Sequence, residues 1–187
     1  FNAPHIENTY DPAVAVLLDE PFVSYDASTG GEYTLTQATA GSAAISTTMP
    51  GVLSIDSGST TSAQGANVQR LKSAFVPAAG KDIWAEFRVK YTGVGALNVE
   101  TFVGLAASDT TVIAASAVST NNRIGWSSVT DDGVLLFDCD KAGTPTTAAG
   151  HTIVSDTWVK LGFYFDGTAD TVQQYVNGVA TGTAIAT

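Results

Sequence analysis

Thr157-Trp-Val-Lys-Leu-Gly-Phe-Tyr-Phe-Asp-Gly-Thr-Ala-Asp-Thr-Val-Gln-Gln-Tyr-Val-Asn-Gly178 decides the fold. Val159, Leu161, Phe163 and Phe165 alternate with Trp158, Lys160, Gly162, Tyr164 and Asp166. A period of two is the mark of a strand with one face on a core. Asp166-Gly167 supplies backbone freedom for a reversal, and Asn177-Gly178 supplies a second one. The stretch predicts antiparallel sheet built from hairpins, with four large apolar side chains on one face. A one-residue slip would turn all four outward, so the register is firmly set.

Similar runs extend back along the chain. Ile83 to Tyr91 alternates cleanly, with Ile83, Ala85, Phe87, Val89 and Tyr91 on one face and Trp84, Glu86, Arg88 and Lys90 on the other. Strands are also predicted at 44–48, 52–56, 99–106, 112–118, 123–127 and 134–138. Asn67 to Phe75 is compatible with a strand or a short helix. Turns fall at Met49-Pro50-Gly51, Pro77 to Gly80 and Asp131-Asp132-Gly133, and polar Lys141 to Gly150 reads as a loop. About ten strands punctuated in this way predict an all-β, antiparallel sandwich or barrel. No heptad pattern and no long amphipathic helix interrupts them. Residues 1–21 differ: Pro4, Pro12 and Pro21 break them up, and they read as an extended N-terminal arm preceding one domain over 22–187.

Composition narrows the function classes. The chain has 187 residues, 44% of them hydrophobic, enough for one well-buried core. Its single cysteine, Cys139, allows no intrachain disulfide and reads as a small buried apolar residue. Eighteen Asp and Glu against eight Lys and Arg give a formal charge of -10. Such a surface repels phosphate within a Debye length of ~8 Å, which argues against nucleic acid and anionic membranes as partners. The longest early apolar run, Ala13 to Leu18, is bracketed by Asp11 and Asp19 and falls far short of the ~18 residues a spanning helix needs. The chain begins at Phe1 rather than Met, and a leader already removed is compatible with that.

Few residues suggest chemistry. His5 and His151 stand far apart, without cysteines or carboxylates at ligand spacing, so no structural zinc is expected. Asp131-Asp132 and Asp138-Cys139-Asp140 offer oxygen ligands, yet they lack the complete D-x-D-x-D-G loop, and solvated turn carboxylates are the expectation. A sandwich glucanase would place two acids on one strand as Glu-x-Asp-x-Glu; Glu86 and Glu100 are each isolated. Neither a Gly-x-Ser-x-Gly elbow nor a Gly-rich phosphate motif occurs, and Gly93-Val94-Gly95 reads as loop. No catalytic, cofactor-binding or metal-binding residue is therefore expected. Trp84 and Tyr164, on outward strand faces, are the candidate site. Such aromatics serve more often in packing or a protein interface than as a sugar platform, although carbohydrate binding stays open.

The run from Trp158 through Tyr175-Val-Asn-Gly178 resembles the concanavalin A-like, laminin-G-like jelly-roll family, whose late hairpin reads W-x-x-L-x-F, D-G, then Y-x-N-G. More narrowly, the chain resembles virion structural proteins of tailed bacteriophages with this fold. The matching pieces are Gly51-Val-Leu-Ser-Ile-Asp-Ser-Gly58, Gly80-Lys-Asp-Ile-Trp-Ala-Glu-Phe-Arg-Val-Lys90, Phe102-Val-Gly-Leu105 with Asp109-Thr110, and Ile124-Gly-Trp126. The resemblance implies a jelly-roll sandwich and a head decoration (cement) protein on the outer capsid surface. It implies the major capsid protein as partner, often a homotrimer, and no catalytic residues or cofactor. Such jelly-rolls usually continue past the Asn-Gly hairpin to a closing strand. That strand is expected to lie beyond Thr187 or to come from a neighbouring chain.

Overall fold

A computed structural model of the chain describes residues 18, 20–28, 30–58, 65–70, 75–92, 100–114, 117–130 and 132–187. The arm expected over 1–21, His5, Asp131 and Gly93 to Gly95 lie wholly or almost wholly outside them. The described residues are all-β, in fourteen strands with no helix. The chain divides into two compact units, one of Phe1–Ser59 with Gln64–Leu71, the other of Thr60–Ala63 with Lys72–Thr187.

The first unit contains β1 (Tyr33–Ala38), β2 (Ser42–Ile45), β3 (Leu53–Asp56) and β4 (Gly65–Arg70). β1 pairs antiparallel with β4, and β2 with β3. The strand-or-helix ambiguity at Asn67 resolves to strand, because each residue from Gly65 to Arg70 finds a partner on β1. Tyr33 is the single buried apolar residue among those described in this unit. Its hydroxyl donates to Glu20 Oε2 at 2.5 Å, and its ring packs near Phe22 and Tyr25.

The second unit is an antiparallel sandwich. Its strands are β5 (Ile83–Lys90), β6 (Thr101–Ala106), β7 (Ile113–Ala114), β8 (Ala117–Val118), β9 (Arg123–Ser128), β10 (Val134–Lys141), β11 (Thr144–Thr152), β12 (Trp158–Asp166), β13 (Thr171–Val176) and β14 (Val179–Ala186). One sheet has the order β11-β10-β9-β6 and the other β14-β13-β12-β5. Each is a three-strand meander extended by one earlier strand.

The inner faces meet as the alternation predicts. Val159, Leu161, Phe163 and Phe165 are buried together with Ile83 and Val172, opposite Ile124, Trp126, Leu135, Phe137 and Cys139. Phe137 bridges the sheets, with its ring 5.3 Å from Trp126 and 6.1 Å from Phe163. Full burial of each such side chain is worth about 1.5–3 kcal/mol, so β12 alone anchors much of the sandwich. The core is not wholly apolar. Gln174 faces it from β13, fully buried, and no protein group bonds its amide.

Three local expectations are corrected. Lys141 to Gly150 is not a loop. Ala142 and Gly143, both at positive φ, make a tight hairpin from β10 into β11. β11 is an edge strand of Thr, Ala and Pro, whose polar side chains hide its period. Val112 to Val118 is not one strand but two short ones folded on each other, Ile113 opposite Val118. At the Asp166 turn, Asp170 is the residue at positive φ. Gly167 serves close approach instead: a Cβ there would lie 2.5 Å from Lys81 N and 2.7 Å from Ala78 O. Asn177 and Gly178 both have positive φ, as an Asn-Gly hairpin requires, and the residues that follow form β14, paired to β13.

Candidate functional site: an aromatic and cationic sheet face

The outward face of the β5–β12 pair carries the two aromatics singled out from sequence, and the register brings them together. Tyr164 stands directly opposite Trp84, and their rings stack with centroids 4.1 Å apart. Tyr175, on β13, sits opposite Gly162 and brings its ring to 6.0 Å from Trp84. Gly162 has no side chain to separate them. An added Cβ there would approach the Ala85 carbonyl oxygen to 2.9 Å, which favours glycine. Trp84 remains 45% exposed, high for the largest apolar side chain.

Cations follow along the same face. The Arg88 guanidinium lies 4.8 Å from the centre of the Trp158 ring, and the Lys90 ammonium 5.6 Å from it. Both distances fall within cation–π range. Lys160 pairs with Glu86 at 2.9 Å. Thus three of the chain's eight basic residues gather at one end of this face, with Glu86 the one carboxylate among them, on a chain whose net charge is -10. At the far end Tyr164 donates its hydroxyl to Asp82 Oδ2 at 2.9 Å, and Gly167 N donates to Asp82 Oδ1 at 3.0 Å. The hydrogen bond to Asp82, with lesser help from burial and nearby charge, pushes the Tyr164 phenol up to about 12. Tyr164 is therefore a neutral hydrogen-bond donor at neutral pH.

Sequence reasoning found Trp84 and Tyr164 but left out Trp158, Tyr175, Arg88 and Lys90. The alternation already put Trp158, Arg88 and Lys90 outward. Reading the outward residues of adjacent strands as one set would have found them.

The carboxylates expected to be solvated at a turn are elsewhere. Asp138 and Asp140 are buried within β10, on the side of its sheet away from the core, and both bind Arg123 of β9. Arg123 Nε donates to Asp138 Oδ2 at 2.8 Å, and Nη1 to Asp140 Oδ2 at 2.9 Å. Nη1 also donates to the Ser119 and Asn121 carbonyls, tying down the segment after β8. Gly143 N donates to Asp140 Oδ1 at 2.8 Å, while Asp138 Oδ1 has no protein partner. One guanidinium holding two acids is a structural clamp. Asp132, in contrast, does stand exposed at its turn and accepts from Val134 N.

Cys139 points the other way, into the sandwich, beside a cavity of about 190 Å³ lined by Lys141, Thr144, Thr146, Ala186 and Thr187. Burial, then the adjacent Asp138 and Asp140, push its thiol up to about 11, which makes it a poor nucleophile. His151 is half-buried on β11, and desolvation lowers its pKa. Among the described residues no three His, Cys, Asp or Glu converge on a common point.

No protein-family model matches the chain. No match is found among curated proteins or solved structures.

Proposed function

We propose that the chain is a non-catalytic virion structural protein that binds the outer surface of a phage capsid and stabilises it, with the aromatic and cationic sheet face as its docking surface. The observation that carries the docking role is the stacked Trp84–Tyr164 pair beside Arg88, Lys90 and Lys160. Exposed Trp, Tyr and Arg are the side chains enriched at the energetic centres of protein interfaces. The virion assignment rests on the motif resemblance and on the all-β fold. The jelly-roll topology, the homotrimer and the major capsid protein as partner belong to the same proposal.

Carbohydrate binding is the competing reading, and ring geometry favours docking over it. A sugar platform needs a free flat ring face. Trp84 gives one face to Tyr164 at 4.1 Å and brings a second aromatic, Tyr175, to 6.0 Å. One Trp84 face is left for a partner, and the cations beside it suit a charged protein surface better than a neutral pyranose.

Electron microscopy of purified particles, with an antibody to this chain, tests the proposal. Label on the outer head surface is the expected result. Absence from particles, together with specific hits on a glycan array, would overturn it in favour of the lectin reading.

A further inference from the structure

The charged and aromatic residues of the docking face follow an order along the strands that is complementary to itself. Antiparallel register sets the levels: Trp84 with Tyr164, Glu86 with Gly162, Arg88 with Lys160, and Lys90 with Trp158. Asp82 and Asp166 stand just beyond the first of these, joined through Gly167, whose N–H Asp82 accepts. Anions thus occupy one end of the face and cations the other, with the Trp84–Tyr164 pair inside the anionic end and Trp158 level with Lys90 at the cationic end.

We propose that this face packs against the same face of a second copy, about a two-fold axis that lies in the interface and crosses the strands at the level of Glu86 and Gly162. That operation reverses the strand direction and keeps each strand over its equivalent. Asp82 then meets Lys90 of the second copy. Trp84 meets its Arg88, and Tyr164 its Lys160. These three are attractive, one an ion pair and two cation–π contacts, while Asp166 meets Trp158 without a matching charge. Glu86 meets Glu86 on the axis, the one like-charged meeting, and each is already held by Lys160 at 2.9 Å. A two-fold interface requires this property of matching itself.

The magnitude follows from sheet geometry. Four strands at ~4.8 Å and eight residue steps at ~3.3 Å give a face of roughly 19 by 26 Å, about 500 Å². A standard interface buries ~800 Å² per partner, so the pair is weak and concentration-dependent. Its contacts are charge-assisted, so salt weakens it.

This inference rests on reading the face as a docking surface, not on the virion assignment; the face holds one occupant at a time, so the pair is the state of the free chain and is exchanged for the capsid contact on a particle. Sedimentation equilibrium on the purified full chain, from about 5 to 500 µM in about 0.1 M and about 1 M salt, tests it. The expected result is a monomer–dimer equilibrium whose dissociation constant rises at least about tenfold in the higher salt. Lys90→Glu leaves only monomer, and so does Asp82→Lys. An equimolar mixture of the two variants restores the dimer, because each supplies the charge the other has reversed. Should a variant melt early, carbodiimide coupling of isotope-mixed wild type provides the second readout, an Asp82–Lys90 link between copies. A chain that stays monomeric at the highest concentration in low salt overturns the pairing, whether or not it binds an anionic glycan. So does a dimer indifferent to the charge reversals. Failure here leaves placement on particles standing, and absence from particles leaves the pairing standing.

Discussion

Arg123→Leu is the perturbation whose cost the structure defines best. The Arg123 side chain is 5% exposed, that of Asp138 7% and that of Asp140 1%. The substitution removes both ion pairs, at 2.8 and 2.9 Å, and leaves two carboxylates two positions apart on the same face of β10. Removing one partner of a buried pair costs about 3–5 kcal/mol, mostly because the surviving charge is uncompensated. Two survive here, so the upper end is expected, against a total stability of about 5–15 kcal/mol for a typical domain. The midpoint of thermal unfolding should fall by roughly 10–20 °C at about 2–4 °C per kcal/mol. Urea unfolding followed by the fluorescence of buried Trp126 gives the free energy directly. Adding Asp138→Asn and Asp140→Asn to Arg123→Leu removes the orphaned charge and should recover more than half of the loss. A single variant within about 1 kcal/mol of wild type would refute the reasoning, since it would mean that the acids are hydrated rather than clamped. A triple variant worse than the single one would do the same.

Three further outcomes follow from the same structure. Gln174→Met keeps chain length and removes a buried amide that no protein group bonds, so stability should rise by about 1–3 kcal/mol in urea; a loss would mean the amide is satisfied by bound water. The Tyr164 phenol is raised in the fold, so its hydrogen bond contributes fully below pH ~10 and is lost as pH rises toward about 12; Tyr164→Phe should flatten that part of the alkaline stability profile, and an unchanged profile would contradict the Asp82 bond. Amide hydrogen exchange should be fast across β1 to β4, whose two-stranded sheets hold one buried apolar residue among those described, and slow across β9, β10 and β12; equal protection would contradict that division.

The parts of the fold legible in the sequence are those where one face is apolar and the other polar. β12 and β5 are such strands, and their boundaries and faces emerge from alternation alone. β11 is not legible, because an edge strand of Thr and Ala has no apolar face to alternate, and its pairing is supplied by the backbone of β10. Asp138 and Asp140 mislead for a related reason. Two acids around a cysteine look like a turn until Arg123, fifteen residues earlier on the neighbouring strand, neutralises them. The site shows the same limit. That Trp84 and Tyr164 face outward is a local property of each strand. That they stack is a property of register between residues eighty positions apart, set by core packing on the opposite face. The aromatic pair exists because Phe163 and Ala85 are paired beneath it.

The central claim is that this sheet face becomes buried in an assembly, and Trp84 and Trp158 report on it directly. Hydroxyl-radical footprinting of both indoles should be compared between the dilute chain and the assembled state, particle or dimer. The account predicts that both are oxidised readily when the chain is free and are protected together on assembly, while buried Trp126 is unreactive throughout. If assembly leaves Trp84 and Trp158 as reactive as in the free chain, the docking face lies elsewhere and the account is wrong.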